Sequence, residues 1–163
     1  MSKGESRNAL LKTILPPSDN PVTSVSDGLL VQARLISKAV TEIFDDRLRP
    51  YGASSAQFAL LALIGKTEPI TRAKIARLQH LDKSTLTRNL RAILSEGWAV
   101  EVRENARGRS RPIALSPTGK ALLLNAQSAW LAAQDQAKAL LGDDATTAIV
   151  NCADRIIQHL FTT

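Results

Sequence analysis

The stretch LDKSTLTRNLRAILSEG, residues 81–97, decides the fold of this chain. At 100° per residue its large apolar side chains gather on one side of a helix. These apolar residues are Leu86, Leu90, Ile93 and Leu94. The opposite side carries hydroxyl and guanidinium groups, from Ser84, Arg88, Arg91 and, at its edge, Thr85. The pattern predicts an amphipathic helix.

A shorter helix precedes this one. Thr71 begins it, Leu78 ends it, and Ile75 and Leu78 are expected to face inward. Asp82 then caps the longer helix, and Gly97 ends it. Two helices joined by a tight turn predict a helix–turn–helix. The shorter helix offers basic side chains to phosphates, and these are Arg72, Lys74 and Arg77.

The outer face of the longer helix suits the major groove of DNA. Short hydroxyl side chains let the helix N-terminus approach base edges, and arginine binds guanine or a phosphate. The alternative is an ordinary solvated face, because any surface helix turns polar residues outward.

A basic hairpin follows the helix–turn–helix. Trp98, Val100 and Val102 alternate with polar or small residues, which predicts a half-buried strand, and Ile113 and Leu115 alternate in the same way. The charged segment between the strands carries Arg103, Arg107, Arg109 and Arg111. Alternating arginines could line one edge that enters a minor groove. The alternative is a hairpin of like charge that only aids solubility.

The charge of the chain supports the DNA interpretation. Residues 66–111 hold eleven Lys/Arg and five Asp/Glu, whereas the rest of the chain holds ten of each. The net charge of +6 therefore lies within about a quarter of the sequence. A basic surplus confined to one region is typical of a surface that binds a polyanion.

Long helices are predicted on both sides of this region. They are Ser26–Leu48 capped by Ser26, Ser54–Ile64 closed by Gly65, a helix from Ser116–Pro117 to Leu141, and a last helix capped by Asp143 or Asp144. Their apolar faces predict helix–helix packing, within one chain or between two. Residues 1–24 hold three prolines and predict a flexible N-terminal arm, either frayed or docked on a partner subunit.

Composition argues against several other classes of protein. One cysteine excludes an internal disulfide, no apolar run could span a membrane, and no signal peptide is visible, so we expect a cytoplasmic protein. His80, His159 and Cys152 lack metal-site spacing, and no cofactor motif is present.

Cys152 is predicted to be a buried structural thiol, with a redox switch as the alternative. Trp98 and Trp130 are expected to pack in the core or within the lobes, with a ligand cage as the alternative.

The chain resembles the MarR (multiple antibiotic resistance regulator) family. The resemblance rests on IARL (75–78), LDKSTLTRNL (81–90), LSEGWAV (94–100) and RGRSRPIALSPTGKAL (107–122). It implies a mainly α fold with a small β-hairpin wing, in which a winged helix–turn–helix lobe joins a helical dimerisation lobe. It further implies a homodimeric repressor of a pseudo-palindromic operator in double-stranded DNA.

The resemblance also implies roles for individual residues. Ser84, Thr85, Thr87 and Arg88 match residues of the family that read the major groove, and Lys83 and Arg91 match backbone contacts. Arg107 or Arg109 matches the wing arginine, although the acidic residue that usually orients it is here only approximated by Glu104. Many relatives respond to small aromatic or phenolic effectors bound between the lobes.

We therefore expect a single domain over residues 25–163. Its winged helix–turn–helix lobe covers about residues 54–116, and its dimerisation helices cover about residues 25–50 and 117–162. The dimer contacts are assigned to Leu29, Ile36, Val40, Ile149, Ile156 and Leu160. The main rival is a winged-helix protein–protein interaction module without DNA binding. A small hydrolase or transferase would need a nucleophile–base pair, which the sequence does not reveal.

Overall fold

The computed structural model describes residues 28–79, 83–102 and 111–161. The helices within these ranges are α1 (Leu29–Leu48), α2 (Ser55–Thr67), α3 (Arg72–Gln79), α4 (Lys83–Ser95), α5 (Pro117–Leu141) and α6 (Asp143–Phe161). Strands β1 (Ala99–Glu101) and β2 (Ile113–Leu115) lie between α4 and α5. The mainly helical fold with a small hairpin is thus confirmed.

The chain divides after Val40, within α1, into two units. The described part of the first unit is the amino-terminal part of α1, whose leucines Leu29, Leu30 and Leu35 are exposed. The second unit holds the other elements. The predicted cap Ser26 and the predicted arm, residues 1–24, lie outside the described residues. The predicted end of α1 at Leu48 is confirmed, and a 3₁₀ turn (Arg49–Tyr51) leads to Gly52 at a φ of 74°.

The start of α2 agrees with the sequence, but its end does not. The Ser54 side chain accepts a hydrogen bond from the Gln57 N–H and the Gln57 side chain accepts one from the Ser54 N–H, which completes a capping box. Gly65 was expected to close the helix, yet α2 continues to Thr67. The glycine serves close packing instead, because a Cβ there would approach the Leu115 side chain to 2.8 Å.

Both helices of the predicted helix–turn–helix form, with one inward residue misplaced. The Thr71 hydroxyl accepts a hydrogen bond from the Lys74 N–H and caps α3, and Ile75 is fully buried. Leu78 was predicted to face inward but is 42% exposed. Helix α3 has only eight residues and packs on the core through a short apolar stripe. This stripe buries Ile75 and leaves Leu78 at its edge. Asp82 and His80 lie outside the described residues.

Gly97 ends α4 through backbone hydrogen bonds. The Trp98 N–H donates to the Ile93 carbonyl at 2.9 Å, and the Gly97 N–H donates to the Leu94 carbonyl at 3.2 Å. This pair of bonds is a Schellman motif, which requires a left-handed residue at its centre, and Gly97 has a φ of 68°. The predicted glycine stop is confirmed.

The two strands pair antiparallel, with Ala99 opposite Leu115 and Glu101 opposite Ile113. Ile113 is also bonded in both directions to the backbone of Ile70, so the segment before α3 lies beside β2. The prediction that Val100 faces inward from β1 was wrong. Val100 is 46% exposed, because the neighbouring Ala99 faces the core instead.

The core of the second unit lies between α2, α4 and the sheet. Its fully buried members include Leu60, Leu61, Ile64, Ile70, Ile75, Leu90, Ile93 and Ile113. Trp98 belongs to this core, as predicted. Phe58, Leu48 and Ala126 form a second buried cluster, against which Trp130 packs.

The start of α5 is tied to the end of α4. The buried Ser116 hydroxyl donates to the Gly97 carbonyl at 2.6 Å and accepts the Gly119 N–H at 3.0 Å. The Ser116 N–H donates to the Trp98 carbonyl. A Cβ at position 119 would overlap that carbonyl, so glycine is required there. The predicted serine cap with proline at the first helical position is confirmed.

Gly142 separates α5 from α6, at a φ of 80°. Asp143 and Asp144 were each considered as the cap of the last helix, but both lie within its first turn. Carboxylates there still interact favourably with the positive end of the helix dipole. None of the described helices is long and apolar enough to cross a membrane.

Candidate nucleic-acid interface

The outer face of α4 carries the predicted base-reading residues. Ser84, Thr87, Arg88 and Arg91 are exposed and line a shallow depression of about 580 Å³. Thr85 is only half-buried, as expected for the edge of the face. The side chain of Lys83, the first residue of α4, lies outside the described residues. A single helix thus presents hydroxyls at its start and two guanidinium groups further along.

The inner face of α4 fixes this presentation. Leu86, Leu90 and Ile93 are at most 5% exposed, and Leu94 is half-buried. A helix whose apolar side is locked into a close-packed core cannot rotate about its axis without exposing it. The direction of the outer residues therefore follows from the burial of the inner ones.

The basic residues of α3 are exposed, and one of them is engaged. Arg72, Lys74 and Arg77 all reach solvent. Arg72 Nη2 lies 2.6 Å from Glu101 Oε1, while Arg111 Nη1 lies 3.3 Å from Glu101 Oε2. The hydrogen bond from Arg72, assisted by Arg111, lowers the pKa of the Glu101 carboxyl despite some desolvation. One carboxylate thus joins two arginines that were predicted to contact DNA separately.

Sequence reasoning missed Glu101. The residue lies 29 positions from Arg72 and 10 from Arg111, so no local spacing links the three. The one available signal was the antiparallel hairpin, which places the end of β1 near the start of β2.

The tip of the wing lies outside the described residues. This applies to Arg103, Arg107 and Arg109, and to Glu104. The base of the hairpin is described, because the Val102 N–H donates to the Pro112 carbonyl at 2.8 Å and so extends the pairing of β1 and β2. Arg111 follows the undescribed tip and is exposed.

A cavity of about 690 Å³ lies between α2, β2 and α5. Its lining is mostly apolar and consists of Phe58, Ala62, Gly65, Glu68, Leu115, Lys120, Leu123, Leu124, Gln127 and Trp130. The Trp130 ring stacks on Phe58 at 4.9 Å between centroids and meets Phe44 at 4.5 Å. The predicted packing role of Trp130 is therefore confirmed, and its ring also forms a wall of the cavity.

The polar lining of this cavity includes an ion pair between Glu68 and Lys120. Glu68 Oε1 lies 2.9 Å from Lys120 Nζ, and Glu68 Oε2 accepts the Leu115 N–H at 2.6 Å. The hydrogen bond from Lys120 is the main cause, and that from Leu115 the second, of a lowered pKa of Glu68. Glu68 thereby connects the end of α2 to the wing strand and to the first turn of α5. No local spacing of residues indicated this contact.

Four of the six predicted dimerisation residues are exposed in the described part of the chain. Leu29 is 85% exposed, Ile36 and Ile149 are each 39% exposed, and Ile156 is 60% exposed. Val40 is half-buried, and the side chain of Leu160 lies outside the described residues. The apolar side of α6 also exposes Val150 and Ile157.

Cys152 corrects a prediction. It was expected to be buried, but it is exposed on α6, where Arg155 Nη2 lies 3.0 Å from its sulfur. On α6, Cys152 lies on the polar side of the helix, next to the apolar side that contains Ile149 and Ile156. Within the described ranges, no group of three His, Cys, Asp or Glu side chains could hold a metal ion.

Comparisons with known proteins agree with this geometry. Residues 53–103 match the model of the MarR family. No curated protein matches the chain at a significant level. Among solved structures, the M. tuberculosis transcriptional regulator MOSR in complex with DNA is 25% identical, with a TM-score of 0.70 over 83% of this chain and 97% of that chain.

Two further structures share the fold. The transcriptional repressor CouR bound to a 23-mer DNA duplex is 24% identical, with a TM-score of 0.71 over 85% of this chain and 99% of that chain. CouR bound to p-coumaroyl-CoA is 22% identical, with a TM-score of 0.71 over 82% and 94%. Regulators of the MarR family are generally transcription factors without enzymatic activity. The match over residues 53–103, the two helices α3 and α4 and the paired wing strands make this part of the chain similar to the MarR family and identify the chain as a DNA-binding transcriptional regulator.

Proposed function

We propose that the protein is a homodimeric repressor that binds a pseudo-palindromic operator. The observation that carries the proposal is the outer face of α4, where Ser84, Thr87, Arg88 and Arg91 are exposed above a locked apolar face. In the proposed complex, Ser84, Thr85, Thr87 and Arg88 contact base edges in the major groove. Base contacts at these positions supply sequence specificity, because phosphate contacts are the same for every sequence.

The remaining basic residues have backbone or minor-groove roles in the proposal. Lys83, Arg91 and Arg72 contact phosphates beside the major groove. The wing residues Arg103, Arg107, Arg109 and Arg111 follow the backbone into the adjacent minor groove, where a narrow duplex concentrates negative potential. The winged helix–turn–helix lobe is assigned to about residues 54–116.

The dimer is proposed to form through about residues 25–50 and 117–162, with residues 1–24 as an arm. Its support is the exposure of several large apolar side chains on α1 and α6, including Leu29 and Ile156. Monomeric soluble proteins rarely expose large apolar patches to water, so the exposed apolar residues of each helix favour contact with a second chain. Two-fold symmetry would then place two α4 helices about 34 Å apart, one turn of DNA.

The regulator is further proposed to respond to a small aromatic or phenolic effector. The cavity beside α5 supports this proposal, because Trp130 and Phe58 offer flat apolar walls and the ion-paired Glu68 and Lys120 add polar groups to the lining. CouR, which shares the fold, has been solved with p-coumaroyl-CoA. Isothermal titration of phenolic acids against wild type and W130A tests the site, and equal binding to both would assign it elsewhere.

Selection of bound DNA from a random pool tests the main proposal. We expect an enriched inverted repeat whose half-sites are centred about 10 bp apart. Light scattering should show a dimer at micromolar concentration. A stable monomer, or a pool without any enriched sequence, would contradict the proposal.

A further inference from the structure

Glu101 ends β1 at the base of the wing and holds two arginines from different elements. Its Oε1 accepts a hydrogen bond from Arg72 of α3 at 2.6 Å, and its Oε2 accepts one from Arg111, two residues before β2, at 3.3 Å. The carboxylate therefore neutralises basic charge at the edge of the predicted DNA-binding surface.

The group is open to solvent. The side chains of Arg72 and Arg111 are 45% and 54% exposed, and that of Glu101 is 30% exposed. Ion pairs at such exposure contribute little to stability, because water screens them and long side chains lose freedom when they pair. A second oxyanion can thus approach either arginine and compete with Glu101.

DNA offers such an oxyanion. Carboxylate and phosphate oxygens present the same acceptor geometry to a guanidinium group. Glu101 therefore holds one guanidinium nitrogen of each arginine that would otherwise be available to a phosphate of a bound duplex. Binding to DNA of arbitrary sequence comes almost wholly from phosphate contacts, so an internal competitor weakens that mode most.

We propose that Glu101 is a specificity-determining residue that competes with DNA phosphates for Arg72 and Arg111. It reduces binding to arbitrary sequences more than binding to the operator, because base contacts of α4 fix the position of the protein on the operator. On an arbitrary duplex the protein is free to place any released cation against a phosphate. This inference rests on the proposed function, in which the outer face of α4 reads bases.

The test compares Glu101→Gln with Glu96→Gln. Glu96 is an exposed acid just after α4, so its variant makes the same change in net charge without releasing either arginine. Fluorescence anisotropy with a random-sequence 30-bp duplex should show E101Q binding about tenfold tighter than wild type, with a salt slope steeper by about one to two units. E96Q should change the affinity less than about twofold.

The gain on the duplex selected from the random pool should be smaller, about threefold or less, so that the ratio of the two affinities falls. A double-mutant cycle identifies the cations. Arg72→Gln should weaken random-duplex binding more in the E101Q background than in wild type, because wild-type Arg72 is already paired. Thermal unfolding of each variant reports whether the fold is kept.

Several outcomes would overturn the proposal. Weaker binding by E101Q would mean that Glu101 orients the arginines for DNA, and an equal gain in E96Q would reduce the effect to net charge. An additive cycle would exclude Arg72 as the released cation. Failure of the operator proposal would be seen separately, as a random pool from which wild type enriches no sequence.

Discussion

Two regions of the chain treat large apolar side chains in opposite ways. Around α4 and the sheet, residues such as Leu90, Ile93 and Ile113 are at most 1% exposed. On α6, Ile149, Ile156 and their neighbours are 39–60% exposed, although their helical spacing is equally regular. The first region completes its core within one chain. The second region has an apolar side that the described part of the chain leaves exposed, and this supports the proposed dimer.

The largest effect on this difference is expected from a substitution on α6. In Ile156→Asp, each subunit would place an unpaired carboxylate in the proposed interface, at a cost of about 3–5 kcal/mol per subunit. We expect the dimer to dissociate at micromolar concentration in sedimentation experiments. Asp154→Asn, an exposed change on the same helix, is the control. An intact dimer with an unchanged melting temperature would remove Ile156 from the interface.

The self-contained core predicts a different response. Leu90→Ala removes a side chain that is 1% exposed and should lower the free energy of unfolding by about 2–5 kcal/mol. Because this core lies within one chain, L90A should keep the dimer until it unfolds. Chemical denaturation with sedimentation below the transition checks both parts, and early dissociation would show that the two regions are coupled.

The outer face of the same helix should separate binding from stability. Arg88→Ala removes an exposed side chain, so unfolding should be nearly unchanged. Binding to the selected duplex should weaken by about 1–3 kcal/mol, with relaxed preference at the base that Arg88 contacts. Competition with single-base variants of the duplex measures both. Unchanged preference at every base would assign Arg88 to the backbone.

The smallest effect is expected at Glu68. Its pKa is lowered in the folded protein, first by the hydrogen bond from Lys120, so the unfolded chain binds the proton more tightly. The stabilisation is therefore complete above the ordinary glutamate pKa and is lost as pH falls through the lowered value. The free energy of unfolding of wild type should exceed that of Glu68→Gln by about 1 kcal/mol or less at neutral pH. This difference should shrink in acid.

Urea unfolding of both proteins from neutral pH to about pH 3, below the ordinary glutamate pKa, checks the sign. A difference that grows in acid would mean that the folded protein favours the protonated acid. The ion pair would then not be the source of the stabilisation.

The sequence predicted the parts of the fold that depend on near neighbours. The 3.6-residue spacing of Leu86, Leu90 and Ile93 identified the buried side of α4 correctly. Local capping chemistry likewise located Thr71, Ser116 and Gly97, because each cap acts on a backbone within a few residues. The exposed residues of the α4 face followed from the same periodicity.

The errors arose where a distant part of the chain decides the environment. Gly65 was interpreted as a helix end, but the Leu115 side chain, fifty positions away, sets the requirement for glycine. Glu101 and Glu68 were missed because their partners lie on other elements. Cys152 was predicted to be buried because its neighbours in sequence are apolar, but those neighbours on α6 are exposed as well, so they do not bury the thiol.

The joint at Ser116 has a mechanical consequence. Its hydroxyl binds the carbonyl that follows α4 and the first turn of α5, so the two helices share one rigid corner. Helix α5 has 25 residues and is about 37 Å long, which makes it a lever arm attached to that corner. A tilt of a few degrees anywhere along this arm would swing α4 by the same angle. The distance between the two α4 helices of the proposed dimer would then depend on the tilt of α5.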